Sequence, residues 1–216
     1  MISILNLLFP NRCLWCNSII DAKMIICENC YSFIHFTHWE HLAVNPLKER
    51  LNSYFSSEEV FGLMFYEQEG LSQKIIHQLK YGGQKKIGKT LAKWCEEKIS
   101  FKNPPNLLVT IPLHPIKEKK RGYNQLHLFA DELSKYWKIP HRKDYLKRIQ
   151  HNKAQAKKDR AHREKSVIPF ALENPTSHQH ILLIDDVCTT GNTLASCARL
   201  ILENNNKISI LVMAVD

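Results

Sequence analysis

Two adjacent carboxylates, Asp185 and Asp186, follow the apolar run Ile181-Leu182-Leu183-Ile184 and precede Val187, Cys188 and a hydroxyl-rich turn, Thr189-Thr190-Gly191-Asn192-Thr193. Four consecutive branched or leucine residues have the composition of a strand buried on both faces of a parallel sheet. That reading sets the acidic pair at the strand's carboxyl end, and Leu194 to Leu202 continues as a helix. Paired acids beside a buried strand lose hydration unless something compensates them. Strand, acidic pair, Thr/Gly loop and helix in this order make a sugar-phosphate site. The carboxylates accept hydrogen bonds from ribose hydroxyls, as in dinucleotide folds. Gly191 lets backbone N–H groups converge on an anion, the threonine hydroxyls add donors, and the helix N-terminus contributes its positive dipole. The plainer alternative is a strand, turn and helix with a Thr-rich cap.

A second constellation lies near the start of the chain. Cys13-Leu14-Trp15-Cys16 and Cys27-Glu28-Asn29-Cys30 are two Cys-x-x-Cys knuckles separated by a short spacer. Four thiolates spaced in this way close a tetrahedral structural zinc site. Two disulfides are the competing arrangement and require an oxidising compartment. A redox Cys-x-x-Cys pair needs no second copy. His35, His38 and His41 read as surface histidines, since four cysteines already complete a zinc shell.

The third constellation is basic. Leu107 to Ile111 is a second buried-strand candidate and runs into Pro112 and a cluster of Lys117, Lys119, Lys120 and Arg121. A cluster just past a parallel strand lies where such sheets open a binding crevice, which favours a pyrophosphate site over a solvated turn. From Lys138 to Lys165 basic residues again dominate, and glycine is absent. That segment reads as a charged helix, a nucleic-acid patch or a mobile lid over an anionic substrate, with the lid preferred. Aromatic residues are scarce in it, which argues against a stacking platform for single strands.

The remaining elements must hold these groups in place. Val60 to Tyr66 and Ile208 to Val215 read as strands, the latter closing the sheet, and Val167 to Phe170 as a short edge strand. Leu71 to Lys80, Ile87 to Ile99 and Leu126 to Trp137 have helical apolar spacing, and Gly82-Gly83 stops the first of them. Residues 31–57 are irregular, apart from an amphipathic fragment near Lys48 to Tyr54. The chain has 216 residues, 44% of them hydrophobic and 24% charged, which excludes a disordered tail and allows one good core plus a small appendage. The expected division is an N-terminal module and connector over 1–57 and an α/β domain over 58–216. A formal charge of +9 favours polyanionic partners without choosing among them. The apolar residues 1–9 lack a signal-peptide pattern and are too short to span a bilayer, so they read as a packing helix, with an interfacial anchor as the alternative. No stable membrane insertion is expected, and the protein is expected in the cytoplasm.

The acid-acid, Thr-Thr-Gly-x-Thr stretch resembles the ribose-5-phosphate motif of the type I phosphoribosyltransferases. More of the chain is similar to the ComF-type proteins associated with natural competence. The resemblance rests on the four cysteines, Leu79-Lys80-Tyr81-Gly82, Arg121-Gly122-Tyr123-Asn124-Gln125 and the Asp185-Asp186 motif, with Arg148, Gln155, Arg163 and Phe170 as a weaker fifth match. Asn152, Lys158 and Ser166 depart from the family pattern. The resemblance implies a type I phosphoribosyltransferase fold, a central mainly parallel sheet flanked by helices, with a small N-terminal zinc ribbon. It also implies that Asp185 and Asp186 contact the 2′- and 3′-hydroxyls of phosphoribosyl pyrophosphate, while Thr189, Thr190, Gly191, Asn192 and Thr193 wrap its 5′-phosphate.

Two functional readings follow. In the first, Mg²⁺ accompanies phosphoribosyl pyrophosphate, Lys117, Lys119, Lys120 and Arg121 neutralise the leaving pyrophosphate, and Asp185, Asp186 and Arg121 are the catalytic residues of a phosphoribosyltransferase whose acceptor the motifs do not name. In the second, the site only senses ligand, and the protein binds single-stranded DNA or proteins of the uptake machinery. Cys188, beside the expected helix N-terminus, is a candidate reactive thiol.

Overall fold

The computed structural model describes residues 9–39, 41–113, 118–119, 122–149 and 169–216. Its elements, in order, are α1 (Glu28–Tyr31), α2 (Pro46–Asn52), β1 (Val60–Phe65), α3 (Leu71–Tyr81), α4 (Lys85–Lys98), β2 (Leu107–Thr110), α5 (Gln125–Trp137), β3 (His141–Arg142), β4 (Leu146–Arg148), β5 (Phe170–Leu172), β6 (His180–Cys188), α6 (Asn192–Leu202) and β7 (Lys207–Val215). Five strands form one parallel sheet in the order β1-β7-β6-β2-β3, and β4 and β5 form a separate antiparallel pair. The expected class is observed: a central parallel sheet flanked by helices, with a four-cysteine cluster near the N-terminus.

Continuous apolar sequence makes the middle of the sheet. Ile181 to Ile184 of β6 and Ile210 to Ala214 of β7 are fully buried, so helices must cover both faces. Helix α6 contributes Leu194, Cys197, Ala198 and Ile201, while α5 contributes Leu126, Phe129, Ala130 and Leu133. Deleting one of these large side chains costs about 2–5 kcal/mol, which identifies the sheet centre as the rigid base of the site.

Three expectations are corrected. Strand β6 does not end at Ile184 but runs through both acids to Cys188, because β7 is long enough to pair with it all the way to Val215. Strand β7 does not close the sheet; it lies between β1 and β6. The edge beyond β1 is instead covered by residues 35–37, where Thr37 N–H donates to Leu63 O and Phe65 N–H to His35 O. Within the segment expected as a lid, residues 141–142 extend the sheet as β3, and β4 pairs with β5. Residues 150–168 and 1–8 lie outside the described residues, as do Val167 and Ile168 of the expected edge strand. Among the described residues no helix is long and apolar enough to cross a membrane.

The cysteine-bearing segment sits against the α/β body. Tyr31 and Phe36 pack edge-on against Trp94 of α4, with ring centroids 5.5 and 5.6 Å apart, and Lys98 lies over the Phe36 ring. Such aromatic contacts add about 0.5–1.5 kcal/mol each beyond their buried area.

Candidate functional site

The acidic pair lines a cleft of about 210 Å³ together with Lys80, Arg148 and Thr193. Two separate segments converge there on Asp186. Lys80, in the last turn of α3, places Nζ 3.0 Å from Oδ1. Gln125, the first residue of α5, donates Nε2–H to Oδ2 at 3.0 Å. The Asp186 N–H donates to Oδ1 of Asp185 at 2.8 Å. Burial, then the neighbouring Asp186 carboxylate, pushes the Asp185 carboxyl up to about 8, against the opposing pull of the Asp186 N–H, Lys80 and Arg148. Burial and the adjacent carboxylate thus favour the protonated form of Asp185 in the free cleft, and a cation arriving there favours the ionised form.

Local sequence explains how these side chains are aimed. Asn124 caps α5, its side-chain oxygen accepting from Leu126 N–H at 3.0 Å and its Nδ2–H donating to Ile111 O, so the start of α5 is pinned to the end of β2. The Tyr123 hydroxyl donates to Leu79 O at 3.3 Å, tying the same turn to the end of α3. The Tyr-Asn-Gln and Leu-Lys segments thus act as one support for Asp186.

Beyond β6 the loop turns at Gly191, where φ is +82°. Glycine serves twice here: it adopts the left-handed conformation freely, and a Cβ would stand 2.7 Å from Leu51 Cδ2. Gly191 at the N-cap offers no side chain to α6, the Thr190 hydroxyl accepts from Asn192 N–H at 3.5 Å, and Thr189, Thr190, Asn192 and Thr193 are exposed around the helix N-terminus. Arg50 of α2 clamps the loop, donating to Thr189 O at 2.6 Å and to Asp216 O at 2.8 Å. Val187 is half-buried. Cys188 is buried and its thiol is pushed up to about 11 by desolvation, which opposes the reactive-thiol reading.

On the basic side, Lys117, Lys120 and Arg121 lie outside the described residues, and Lys119 is exposed. Gln155 and Arg163 also lie outside. Besides Lys80, the structure brings Arg148 to the cleft of the acidic pair, its guanidinium packed 5.2 Å from the Phe170 ring centroid. The site roles of Lys80, Gln125, Arg148 and Arg50 emerge only with the fold. The first two stand in segments that carry the family resemblance, and Arg148 and Phe170 belong to its weaker match; Arg50 has no local signal.

The four cysteines converge as expected. The Sγ atoms of Cys13, Cys16, Cys27 and Cys30 lie within 4.8 Å of one another, and Cys16 Sγ is 3.7 Å from Cys27 Sγ. A tetrahedron with Zn–S bonds of about 2.3 Å has edges near 3.8 Å, whereas a disulfide needs about 2.05 Å. All four are free thiols. Trp15 N–H and Cys27 N–H both donate to Cys13 Sγ, the pattern of a knuckle turned around a thiolate. The Ser18 hydroxyl lowers Cys16 to about 6, while desolvation and the neighbouring thiols raise Cys30 to about 12. Four thiols at these distances form a donor set that fits Zn²⁺, and a bound cation would favour their thiolate forms.

No protein-family model matches the chain. Competence protein F of Haemophilus influenzae is 29% identical over 137 residues, covering 59% of this chain and 60% of that protein. DNA utilization protein YhgH of Escherichia coli (strain K12) is 28% identical over 137 residues, covering 60% of each. Competence protein ComFC of Bacillus subtilis is 38% identical over 105 residues, covering 48% of this chain and 41% of that protein. The matches to the first two therefore span about 60% of those relatives' length. Solved structures of similar arrangement include a purine phosphoribosyltransferase from Pyrococcus horikoshii, at 16% identity and TM-score 0.37 over 72% of this chain and 78% of that one. Adenine phosphoribosyltransferase from Leishmania tarentolae has 10% identity and TM-score 0.41 over 91% and 90%.

Proposed function

We propose that this chain, a homologue of competence protein F and ComFC, binds phosphoribosyl pyrophosphate with Mg²⁺ in the Asp185/Asp186 cleft and acts in the cytoplasm during natural transformation and DNA uptake as a phosphoribosyltransferase. The convergence of Lys80 and Gln125 on Asp186, beside a glycine turn and the exposed N-terminus of α6, carries this reading. Asp185 and Asp186 accept from the ribose hydroxyls. The 5′-phosphate rests on the backbone and hydroxyls of Thr189 to Thr193. Lys117, Lys119, Lys120 and Arg121 would neutralise the leaving pyrophosphate. Mg²⁺, when bound, supplies charge neutralisation. In transfer, the C1′–O bond to pyrophosphate breaks as the bond to the acceptor's nucleophile forms, and positioning and electrostatics suffice for it. Residues 1–57 form the zinc module and connector, with the zinc structural, and 58–216 form the phosphoribosyltransferase-like domain. Calorimetric titration with phosphoribosyl pyrophosphate and Mg²⁺ tests the reading. Binding to the wild type and at least tenfold weaker binding to Asp185→Asn and Asp186→Asn are expected; absence of binding to the wild type would sink it.

A second reading, a non-catalytic binder of single-stranded DNA or of an uptake protein, is favoured by a groove of about 800 Å³ beside the cysteine module, where Lys23 and Lys86 accompany Tyr31 and Trp94. Its discriminator is DNA affinity that falls linearly with log salt. Affinity unmeasurable at low salt removes the DNA form of this reading.

A further inference from the structure

We infer that Lys80 is a resident counter-ion, occupying the cation position at Asp186 in the free protein and yielding it to a divalent cation when ligand binds. The inference rests on the reading of this cleft as a phosphoribosyl pyrophosphate and Mg²⁺ site.

Both carboxylate oxygens of Asp186 are engaged, Oδ1 by the Lys80 ammonium and Oδ2 by the Gln125 amide, each at 3.0 Å. A small hard dication binds carboxylate oxygen at about 2.0–2.1 Å and repels an ammonium on the same oxygen. One of the two partners must move. Gln125 is neutral, short and fully buried in the first turn of α5 beside its Asn124 cap. Lys80 has a long flexible stem and stands one residue from the end of α3. It also lines a second cavity of about 780 Å³, bordered by Trp15, Tyr66, His77 and Tyr81, so its head has room on the far side of the wall that it forms. Lys80 is therefore the partner that leaves. While it stays, it neutralises a largely buried carboxylate and competes with bare divalent cations. The cleft then discriminates against free metal and accepts it together with an anion that offers Lys80 a new partner.

The test uses the zinc-loaded full chain and Mn²⁺ alone as the probe, titrated by electron paramagnetic resonance into wild type, Lys80→Met, Lys80→Arg and Lys80→Met/Asp186→Asn. Lys80→Met is expected to bind Mn²⁺ about tenfold more tightly than wild type, Lys80→Arg like wild type, and the double variant no better than wild type. Affinity of Lys80→Met within twofold of wild type in a natively folded protein overturns the inference, as does a gain that persists without Asp186. Should Lys80→Met fail to fold, the ¹⁵Nζ resonance of Lys80 in the wild type is the readout: it is expected to shift on adding phosphoribosyl pyrophosphate with Mg²⁺. An unmoved resonance in protein shown calorimetrically to have bound that ligand overturns the inference. Failure of the wild type to bind phosphoribosyl pyrophosphate strikes the functional reading, whereas the Mn²⁺ comparison addresses Lys80 by itself.

Discussion

Replacing Asp185 with asparagine should stabilise the protein more at high pH than at low pH, while removing ligand binding. Burial and the neighbouring Asp186 carboxylate push its carboxyl up to about 8 in the folded chain, from an ordinary value of 3.8. A raised carboxyl means that the unfolded state loses its proton first. Below about pH 4 both states are protonated and Asp185 is neutral to stability. Between about 4 and 8 the folded state is progressively penalised, and above 8 the penalty is complete. Each pH unit in that window is worth up to about 1.4 kcal/mol. From pH 5 to pH 8 the ceiling is thus about 4 kcal/mol, and because Asp185 keeps some contact with solvent we expect about 2. Asparagine retains the Oδ1 acceptor for the Asp186 N–H, so the local turn survives. Urea unfolding of wild type and variant at pH 5, 6.5 and 8 measures the effect. A difference in stability between the two proteins that does not change with pH refutes the reasoning.

Gly191→Ala should lose about 2–5 kcal/mol, combining the left-handed backbone at φ +82° with the approach of a new Cβ to Leu51, measurable by chemical denaturation. Part of that loss should return when Leu51→Ala is added, since the two residues share the contact. Arg50→Met frees the carbonyls of Thr189 and Asp216 and should destabilise by about 1–3 kcal/mol, with faster amide exchange over residues 189–192. Cys27→Ser should release stoichiometric zinc from the purified protein and expose Trp94 through loss of the Tyr31 contact; protein that retains its zinc contradicts the four-thiolate assignment.

What was legible in the sequence follows from the range of the interactions. Buried central strands announce themselves through unbroken apolar runs, and α3, α4 and α5 through apolar spacing with glycine or asparagine at an end. The cysteine pairs carry their own metal geometry in their spacing. By contrast, the extension of β6 through two aspartates is set by its neighbour β7, whose backbone pairs with Asp185, Val187 and Cys188 whatever their side chains. The two-residue strand β3 has too little local pattern to register, and the partner of β4, β5, is distant in sequence. Arg50 reaches Thr189 and Asp216 from a helix inside a segment of irregular composition. The acidic pair was legible because of its chemistry, whereas its partners Lys80 and Gln125 were visible only as members of motifs, with their targets supplied by the fold.

A crystal structure of the zinc-loaded chain soaked with phosphoribosyl pyrophosphate and Mg²⁺ tests the central claim most directly. Ribose hydroxyls are expected on Asp185 and Asp186, the 5′-phosphate over Thr189 to Thr193 at the N-terminus of α6, and the Lys80 ammonium moved off Asp186. A ligand bound elsewhere, or an unchanged cleft in crystals saturated with ligand, contradicts it.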